Sequence, residues 1–543
     1  MPARLPLGLL LILGLILTSL PQAQAQDVER SELPPLPGTA PSESGDDRPS
    51  RPDSPAPPSL VPPSSGAAAA TSALPYDVWR GVDAEALQRL LAATPLPSPS
   101  PTLAGLTARA LAVDEGGEGL ALRVAALERS GRVVEAAELL SRSGASQEPR
   151  MVGAYATVLL ASGREDEACQ VTIAPGVEKS ALLVPVYCAA AKDDVAGAKL
   201  ALQLARDGGA DVGVAAAALA KRQPTLPKSI GVMDYLFLKL DAKRLKPDLA
   251  AKASPELLYL LAHDQAAPPE LRLAAAERAA ALNVIAGDDL ARAYREAAAK
   301  LPKAAQSAPA LRARLFAAFE SAPSANIRAE SSAALLASAR DQGIEVPVAQ
   351  ALADASAGLI QDPQSDFFAE TGVRIAALAG DEQSAWAWID TGGERMRSWQ
   401  LLLAASDPQG PRAEAALAAG IDIALKGGLP PPLLHRLVTV LDGLDYEVPI
   451  PLWDAASKTP QPTDGDLPPT GALTGLKQAA DAGEVGRTIL LAAAVLGPNG
   501  AKGAHLIALG DALRALKRVG LDAEARRLGF EALYAHWPSH GKA

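Results

Sequence analysis

Residues 120–142, whose sequence is LALRVAALERSGRVVEAAELLSR, give the clearest indication of the fold. Apolar residues recur every three to four positions on both sides of Gly131, which is the spacing of one helix face. Glycine adopts the left-handed conformation that ends many helices, so Gly131 predicts a tight turn between two helices. Ala136 follows five residues later, where a small side chain lets the second helix cross close to the first. The stretch therefore predicts an antiparallel helical hairpin.

The same arrangement recurs elsewhere in the chain. The turn residue and the alanine five positions after it are Gly163 with Ala168, Gly380 with Ala385, and Gly520 with Ala525. A further copy has Asp193 in the glycine position and Ala198 in the alanine position. Gly131 and Gly163 are 32 residues apart, close to the period of about 34 residues of one class of helical repeat.

This pattern resembles tetratricopeptide-like repeats, over residues 120–205 and 512–533. The resemblance implies a curved stack of helical hairpins with a groove that binds peptides or protein surfaces. The family's aromatic positions are mostly missing, and residues 226–375 keep the hairpins without the glycine–alanine signature. An alternative is that Ala- and Leu-rich hairpins with glycine turns share the pattern through composition alone.

The predicted fold class is all-α, an α-solenoid of antiparallel helical hairpins, because the rest of the chain has helical periodicity and no useful strand pattern. Segments rich in proline mark the expected boundaries. The predicted organisation is a signal peptide at 1–25, a disordered Pro- and Ser-rich linker at 26–75, a helical-repeat body at 76–445, a Pro-rich connection at 446–471 and a last helical block at 472–536.

The first residues predict export. Arg4 precedes an apolar run from Leu5 to Leu17, and Ala23 and Ala25 form a small-x-small cleavage site. The run is shorter than the ~20 residues that a membrane-spanning helix needs, although an uncleaved signal anchor is the alternative. The bias toward Ala, Pro and Gly is typical of a GC-rich bacterial genome. We therefore expect a periplasmic or secreted bacterial protein with no membrane insertion after cleavage.

Composition narrows the classes of partner. The 543 residues carry a formal net charge of −11, and only 4% of them are aromatic. No basic cluster is long enough to follow a phosphate backbone, so nucleic acid is not an expected partner. The same acidity disfavours an anionic membrane surface.

Cys169 and Cys188 are the two cysteines. In an oxidising compartment a single pair favours a disulfide, which neighbouring antiparallel helices would allow. Two buried thiols acting as small apolar side chains are the alternative.

The sequence predicts no catalytic residue, no metal site and no cofactor. His536 and His540 are four residues apart but flank Pro538, and Ser539 to Lys542 spells SxxK only in the exposed tail. The glycine-rich loop at 497–503 lacks the spacing of a phosphate-binding loop. Lytic transglycosylases have a catalytic Glu followed by Ser, but Glu320-Ser321 and Glu330-Ser331 lack that family's next residues.

The aromatic side chains concentrate in one region, which we treat as a possible binding patch. Its residues are Phe367, Phe368, Trp386, Trp388 and Trp399, with Arg395 and Arg397 as polar companions. Aromatic residues dominate binding hot spots, but they also anchor helix packing in cores. The functional expectation is a non-enzymatic scaffold or adaptor of the bacterial cell envelope that binds envelope proteins. The alternative is a peptidoglycan- or carbohydrate-acting protein that uses the aromatic patch.

Overall fold

The computed structural model describes residues 72–114, 119–144, 148, 151–171, 179–302, 304–359, 366–463, 465 and 467–538. The predicted signal peptide lies outside these ranges, as do residues 26–71 of the predicted linker. Ser539, His540 and Lys542 also lie outside them. The chain divides into two units, Met1–Pro62 and Pro63–Ala543, and every described residue belongs to the second.

The described residues form 28 α-helices and no β-strand, so the predicted all-α class is confirmed. The first fourteen helices are α1 (Ala84–Ala93), α2 (Pro101–Leu111), α3 (Leu120–Arg129), α4 (Val133–Arg142), α5 (Val152–Ala161), α6 (Glu165–Ala168), α7 (Val184–Ala191), α8 (Val195–Asp207), α9 (Gly213–Leu219), α10 (Val232–Lys239), α11 (Leu249–Lys252), α12 (Pro255–His263), α13 (Pro269–Ala281) and α14 (Gly287–Lys300). The others are α15 (Ala308–Ser321), α16 (Ala325–Arg340), α17 (Glu345–Ala357), α18 (Ala369–Ala379), α19 (Glu382–Gly392), α20 (Arg397–Ser406), α21 (Ala413–Leu425), α22 (Pro431–Gly443), α23 (Ile450–Ser457), α24 (Thr470–Asp481), α25 (Val485–Leu496), α26 (Gly500–Gly503), α27 (Leu506–Arg518) and α28 (Asp522–Tyr534). Short 3-10 helices lie at Lys179–Leu183, Ala242–Arg244, Asp366–Phe368, Gly393–Met396 and Gly497–Asn499.

The turn residues of the sequence pattern share one backbone conformation. Positive φ angles are found at Gly131, Gly163, Asp193, Gly380 and Gly520. At Gly131 a Cβ would also lie 2.7 Å from a methyl carbon of Val284. The alanine that follows each turn is almost fully buried, at 1% exposed or less. Each of these turns therefore joins two consecutive helices at the close crossing that the pattern predicts.

Alanine and leucine fill most of the core, and one buried ion pair lies among them. Arg312 Nη2 is 2.5 Å from Glu277 Oε2, and Arg312 Nε donates to Glu277 Oε1 at 2.7 Å. The Tyr294 hydroxyl donates to the same Glu277 Oε1 at 3.0 Å. These contacts join α13, α14 and α15, and they satisfy a charge that would otherwise be costly to bury.

The last helices of the chain pack against the first. Helix α25 contacts α1 and α2, and α28 contacts α2. The Gly486 amide donates to the Val78 carbonyl at 2.8 Å. The Ser72 amide donates to Glu524 Oε1 at 3.0 Å, and Arg109 Nη1 donates to the Ser72 carbonyl at 2.8 Å. The first described residues are therefore held between α2 and α28.

The segment predicted as a Pro-rich connection, 446–471, contains helix α23. Pro449 caps this helix and Pro451 lies in its first turn, where a missing N–H breaks no helical hydrogen bond. Leu452 and Ala456 of α23 are buried in the common core. Helix α23 is thus packed together with helices of the 76–445 and 472–536 segments.

Within the described ranges, no helix has both the length and the apolar character that crossing a bilayer requires.

Candidate functional site

The structure does not bring the seven residues of the predicted aromatic patch to one surface. Phe368, Trp388 and Trp399 are buried in the core. The Phe368 and Trp388 rings meet edge to face, with centroids 5.2 Å apart. A Cβ on Gly372 would lie 2.4 Å from the Trp388 ring, so the glycine provides the space that this ring fills. These three aromatic side chains anchor helix packing.

The other patch residues lie at the surface. Phe367 is exposed, Arg397 pairs with Glu394 at 2.6 Å, and Arg395 donates to the Asp366 carbonyl at 3.3 Å. Trp386 is half-buried beneath the Arg412 guanidinium, which lies 5.3 Å from its ring centroid. Trp386 and Arg412 line a cavity of about 390 Å³ between α19 and the start of α21. The stacked guanidinium covers part of the Trp386 ring.

A disulfide joins Cys169 and Cys188, whose Cα atoms are 5.6 Å apart. Cys169 directly follows α6, and Cys188 lies in α7. Next to this link, Glu165 of α6 accepts a hydrogen bond from Lys239 Nζ at 2.6 Å. Lys239 Nζ also lies 2.9 Å from Asp264 Oδ2. The disulfide and these ion pairs together connect α6, α7 and α10 to the end of α12.

A groove runs along the outer face of α27. Ile507, Asp511, Arg514 and Arg518 follow one another at intervals of four, three and four residues, so they lie on one side of the helix. Two cavities open on this face, of about 280 and 360 Å³, and both are lined by Asp511 and Arg514. The two cavities adjoin at these two residues, and we call them together the α27 groove.

The two ends of the α27 groove differ chemically. At the first end the walls come from α22 and α23, and the lining includes Val438, Trp453 and Leu506. Trp453 is 46% exposed and Ile507 is 48% exposed, although both side chains are large and apolar. At the second end the wall comes from α24, and the lining includes Lys477 and Arg518. One end is therefore apolar and aromatic, and the other carries Lys477 and Arg518, of which Arg518 pairs with Asp481.

Ion pairs hold the centre of the α27 groove. Arg514 Nη1 lies 3.0 Å from Asp511 Oδ1 on the same helix, and Arg514 Nη2 also pairs with Asp442 of α22. His435 contributes a ring nitrogen that is 3.0 Å from the Thr459 hydroxyl. These contacts fix the side chains of the groove floor before anything binds there.

The described residues contain no group of three or more His, Cys, Asp or Glu side chains arranged to hold a metal ion. The α27 groove was not predicted from the sequence. Its floor could be recognised as a polar face of one helix, but its walls come from earlier helices, between His435 and Ala480.

Searches of protein family models, of curated proteins and of solved structures return no match to this chain.

Proposed function

We propose that this protein is a non-enzymatic interaction scaffold of the bacterial cell envelope, and that it binds an extended segment of a partner protein in the α27 groove. The observation that carries the proposal is the meeting of two cavities at Asp511 and Arg514. Single exposed apolar side chains are common on soluble proteins, but Trp453 and Ile507 line the same depression.

The dimensions of the α27 groove suit a short peptide. Ile507 and Arg518 are eleven residues apart on α27, which corresponds to about 16 Å along the helix axis. An extended chain advances about 3.3 Å per residue, so about five residues would span this distance. The lining favours a segment with an apolar side chain at the Trp453 end. An acidic or polar group would suit the end with Lys477 and Arg518.

The arrangement of helices supports a repeat-type binding surface. Helix α24 packs on α25 and on α27, and α27 packs on α25 and on α28. Stacked hairpins of this kind build an α-solenoid, whose curvature creates an extended concave binding surface. We accordingly propose a tetratricopeptide-like solenoid for this part of the chain, where the sequence resemblance at 512–533 lies.

The disulfide supports the proposed location. Disulfides persist in oxidising compartments such as the bacterial periplasm and are rare in the cytosol. Cys169 and Cys188 are joined in this protein, and the sequence predicts a signal peptide ahead of a Pro-rich linker. We propose that the protein is exported and that the linker gives the helical unit reach within the envelope.

Site-specific photo-cross-linking in living cells tests the proposal. A photoreactive amino acid is placed at Ile507, and the captured proteins are identified by mass spectrometry. The matched control is Ile327 of α16, which is also 48% exposed and does not line the α27 groove. We expect a small, reproducible set of envelope proteins at position 507, absent at position 327 and lost when Trp453→Ala is added.

Two results would overturn the proposal. The first is the same set of proteins at both positions, since that set would then report only proximity in the envelope. The second is no protein adduct at position 507 together with retention of the purified protein on cell-wall glycan. That second result would instead favour a carbohydrate-binding role for the surface around Trp386.

A further inference from the structure

We propose that a cavity between α12, α13 and α14 binds a small zwitterion, namely an α-amino acid with a short polar side chain. The cavity has a volume of about 180 Å³ and lies apart from the α27 groove. Part of its polar lining lies on one face of α14, since Asp289, Arg292 and Glu296 are spaced by three and four residues.

At one end of the cavity a cation and an anion lie side by side. Arg292 Nη1 donates to Asp289 Oδ1 at 2.9 Å, and His263 Nε2 lies 3.4 Å from the same oxygen. Both of these contacts use Oδ1, and in the proposed complex the ligand ammonium donates to Oδ2. A guanidinium has five N–H donors, and this contact uses one of them. The ammonium and carboxylate of an amino acid are also adjacent, so they match the Asp289–Arg292 pair charge for charge where the His263 ring is neutral.

The other end presents a second fixed pair. Arg272 Nη2 lies 2.9 Å from Glu296 Oε2, and Arg272 Nη1 donates to Gln265 Oε1 at 2.5 Å. Arg272 is 5% exposed, so its position is set by the surrounding packing. Asp289 and Glu296 are seven residues apart, about 10 Å along α14, which is close to the length of a glutamine-sized amino acid with its contacts.

Small residues leave room between the two ends. Ala262 and Ala293 line the cavity together with Leu273. A water molecule takes about 30 Å³ of liquid volume, so a cavity of this size holds a ligand of a few to about ten non-hydrogen atoms. The apolar floor accommodates the methylene groups of a short side chain, while the two charged pairs bind its ends.

The test uses four probes on the purified full chain, measured by isothermal titration calorimetry. The first probe is L-glutamine, for which we expect saturable binding with a dissociation constant below about 1 mM. N-acetyl-L-glutamine lacks the ammonium and L-glutamine amide lacks the α-carboxylate, and each should bind at least about tenfold more weakly. L-alanine lacks the polar end of the side chain and should bind with intermediate affinity.

Two arginines of α14 provide a matched pair of variants. Arg292 and Arg295 are each 56% exposed and each pairs with a carboxylate, but only Arg292 lines the cavity. We expect Arg292→Gln to weaken L-glutamine binding about tenfold and Arg295→Gln to change it less than about twofold. Absence of heat with all four probes would overturn the proposal, and so would equal losses in both variants. Binding that persists after removal of either charged group would also overturn it.

Discussion

Thr102 and Glu531 lie 429 residues apart in the sequence, and the Thr102 amide donates a hydrogen bond to Glu531 Oε1 over 2.9 Å. The Thr102 hydroxyl donates to the same oxygen at 2.6 Å, and the Ser100 hydroxyl donates to Glu531 Oε2 at 2.5 Å. Ser100 is the N-cap of α2, so the carboxylate lies at the positive end of that helix dipole. This one side chain of α28 therefore caps the second helix of the described chain.

Replacing Glu531 with alanine is expected to lower the free energy of unfolding by about 2 kcal/mol. The variant removes three hydrogen bonds to a charged acceptor. It also removes the carboxylate that lies at the positive end of the α2 dipole. Urea unfolding monitored by circular dichroism measures the change. Glu447→Ala is the control, because that carboxylate is exposed. Equal stability of the two variants would contradict a capping role for Glu531.

Truncation of the two neighbouring tryptophans of α19 should lower stability by different amounts. Trp388→Ala leaves a large void in the core and should cost about 3–5 kcal/mol of stability. Trp386→Ala removes a half-buried ring and should cost about 1 kcal/mol or less. Thermal unfolding of the two variants measures the difference.

A third substitution, at Gly372, tests the packing of the residue that faces the Trp388 ring. Gly372→Ala would place a Cβ 2.4 Å from that ring, so it should destabilise the wild-type protein by overpacking. In the Trp388→Ala background the same substitution should cost little or should stabilise the protein. Additive effects of the two substitutions would show that the glycine and the ring are not in contact.

The disulfide should stabilise the folded chain because the loop that it closes restricts the unfolded chain. Cys169 and Cys188 are separated by 19 residues, for which the chain-entropy relation gives about 3 kcal/mol. Replacing both cysteines with serine should therefore lower stability by up to that amount. A reducing agent should lower the stability of the wild-type protein similarly and leave the double variant unchanged. Sensitivity of the double variant to the reducing agent would point to a cause other than this disulfide.

Local features of the fold could be predicted from the sequence because they depend on neighbouring residues. The turn at Gly131 and the burial of Ala136 follow from conformational preference and side-chain size within one hairpin. The contact between Thr102 and Glu531 could not be predicted, because neither residue has a local signature for so distant a partner. The packing of the last helices against the first could not be predicted for the same reason.

The candidate sites could likewise be predicted only in part from the sequence. The aromatic patch was identified by composition, and composition does not distinguish the buried Trp388 from the half-buried Trp386. The α27 groove has a readable floor at Ile507 and Arg514, but its depth depends on walls that α22, α23 and α24 supply. Surface features of helical proteins thus require the packing of helices to be known first.

His263 and Asp289 make stability depend on pH. Burial alone would lower the pKa of His263, but hydrogen bonds to Asp289 and to the Tyr259 carbonyl raise it above its ordinary value near 6.5. Burial likewise would raise the pKa of Asp289, whereas His263 and Arg292 lower it below its ordinary value near 3.9. The imidazolium and the carboxylate therefore coexist in the folded state over the intervening pH range.

The sign of the effect follows from these two shifts. Since the pKa of His263 is raised on folding, its contribution is complete below about pH 6.5 and is lost as pH rises through the folded-state pKa. Since the pKa of Asp289 is lowered, its contribution is present above about pH 4 and is lost as pH falls through the folded-state pKa. The stability difference between the wild type and His263→Gln should therefore be largest near pH 5 and should decline toward pH 8. Urea unfolding across this range measures it, and nuclear magnetic resonance titration of the His263 ring should give a lower pKa in Asp289→Asn. An unchanged His263 pKa in that variant would show that the Asp289 hydrogen bond does not cause the shift.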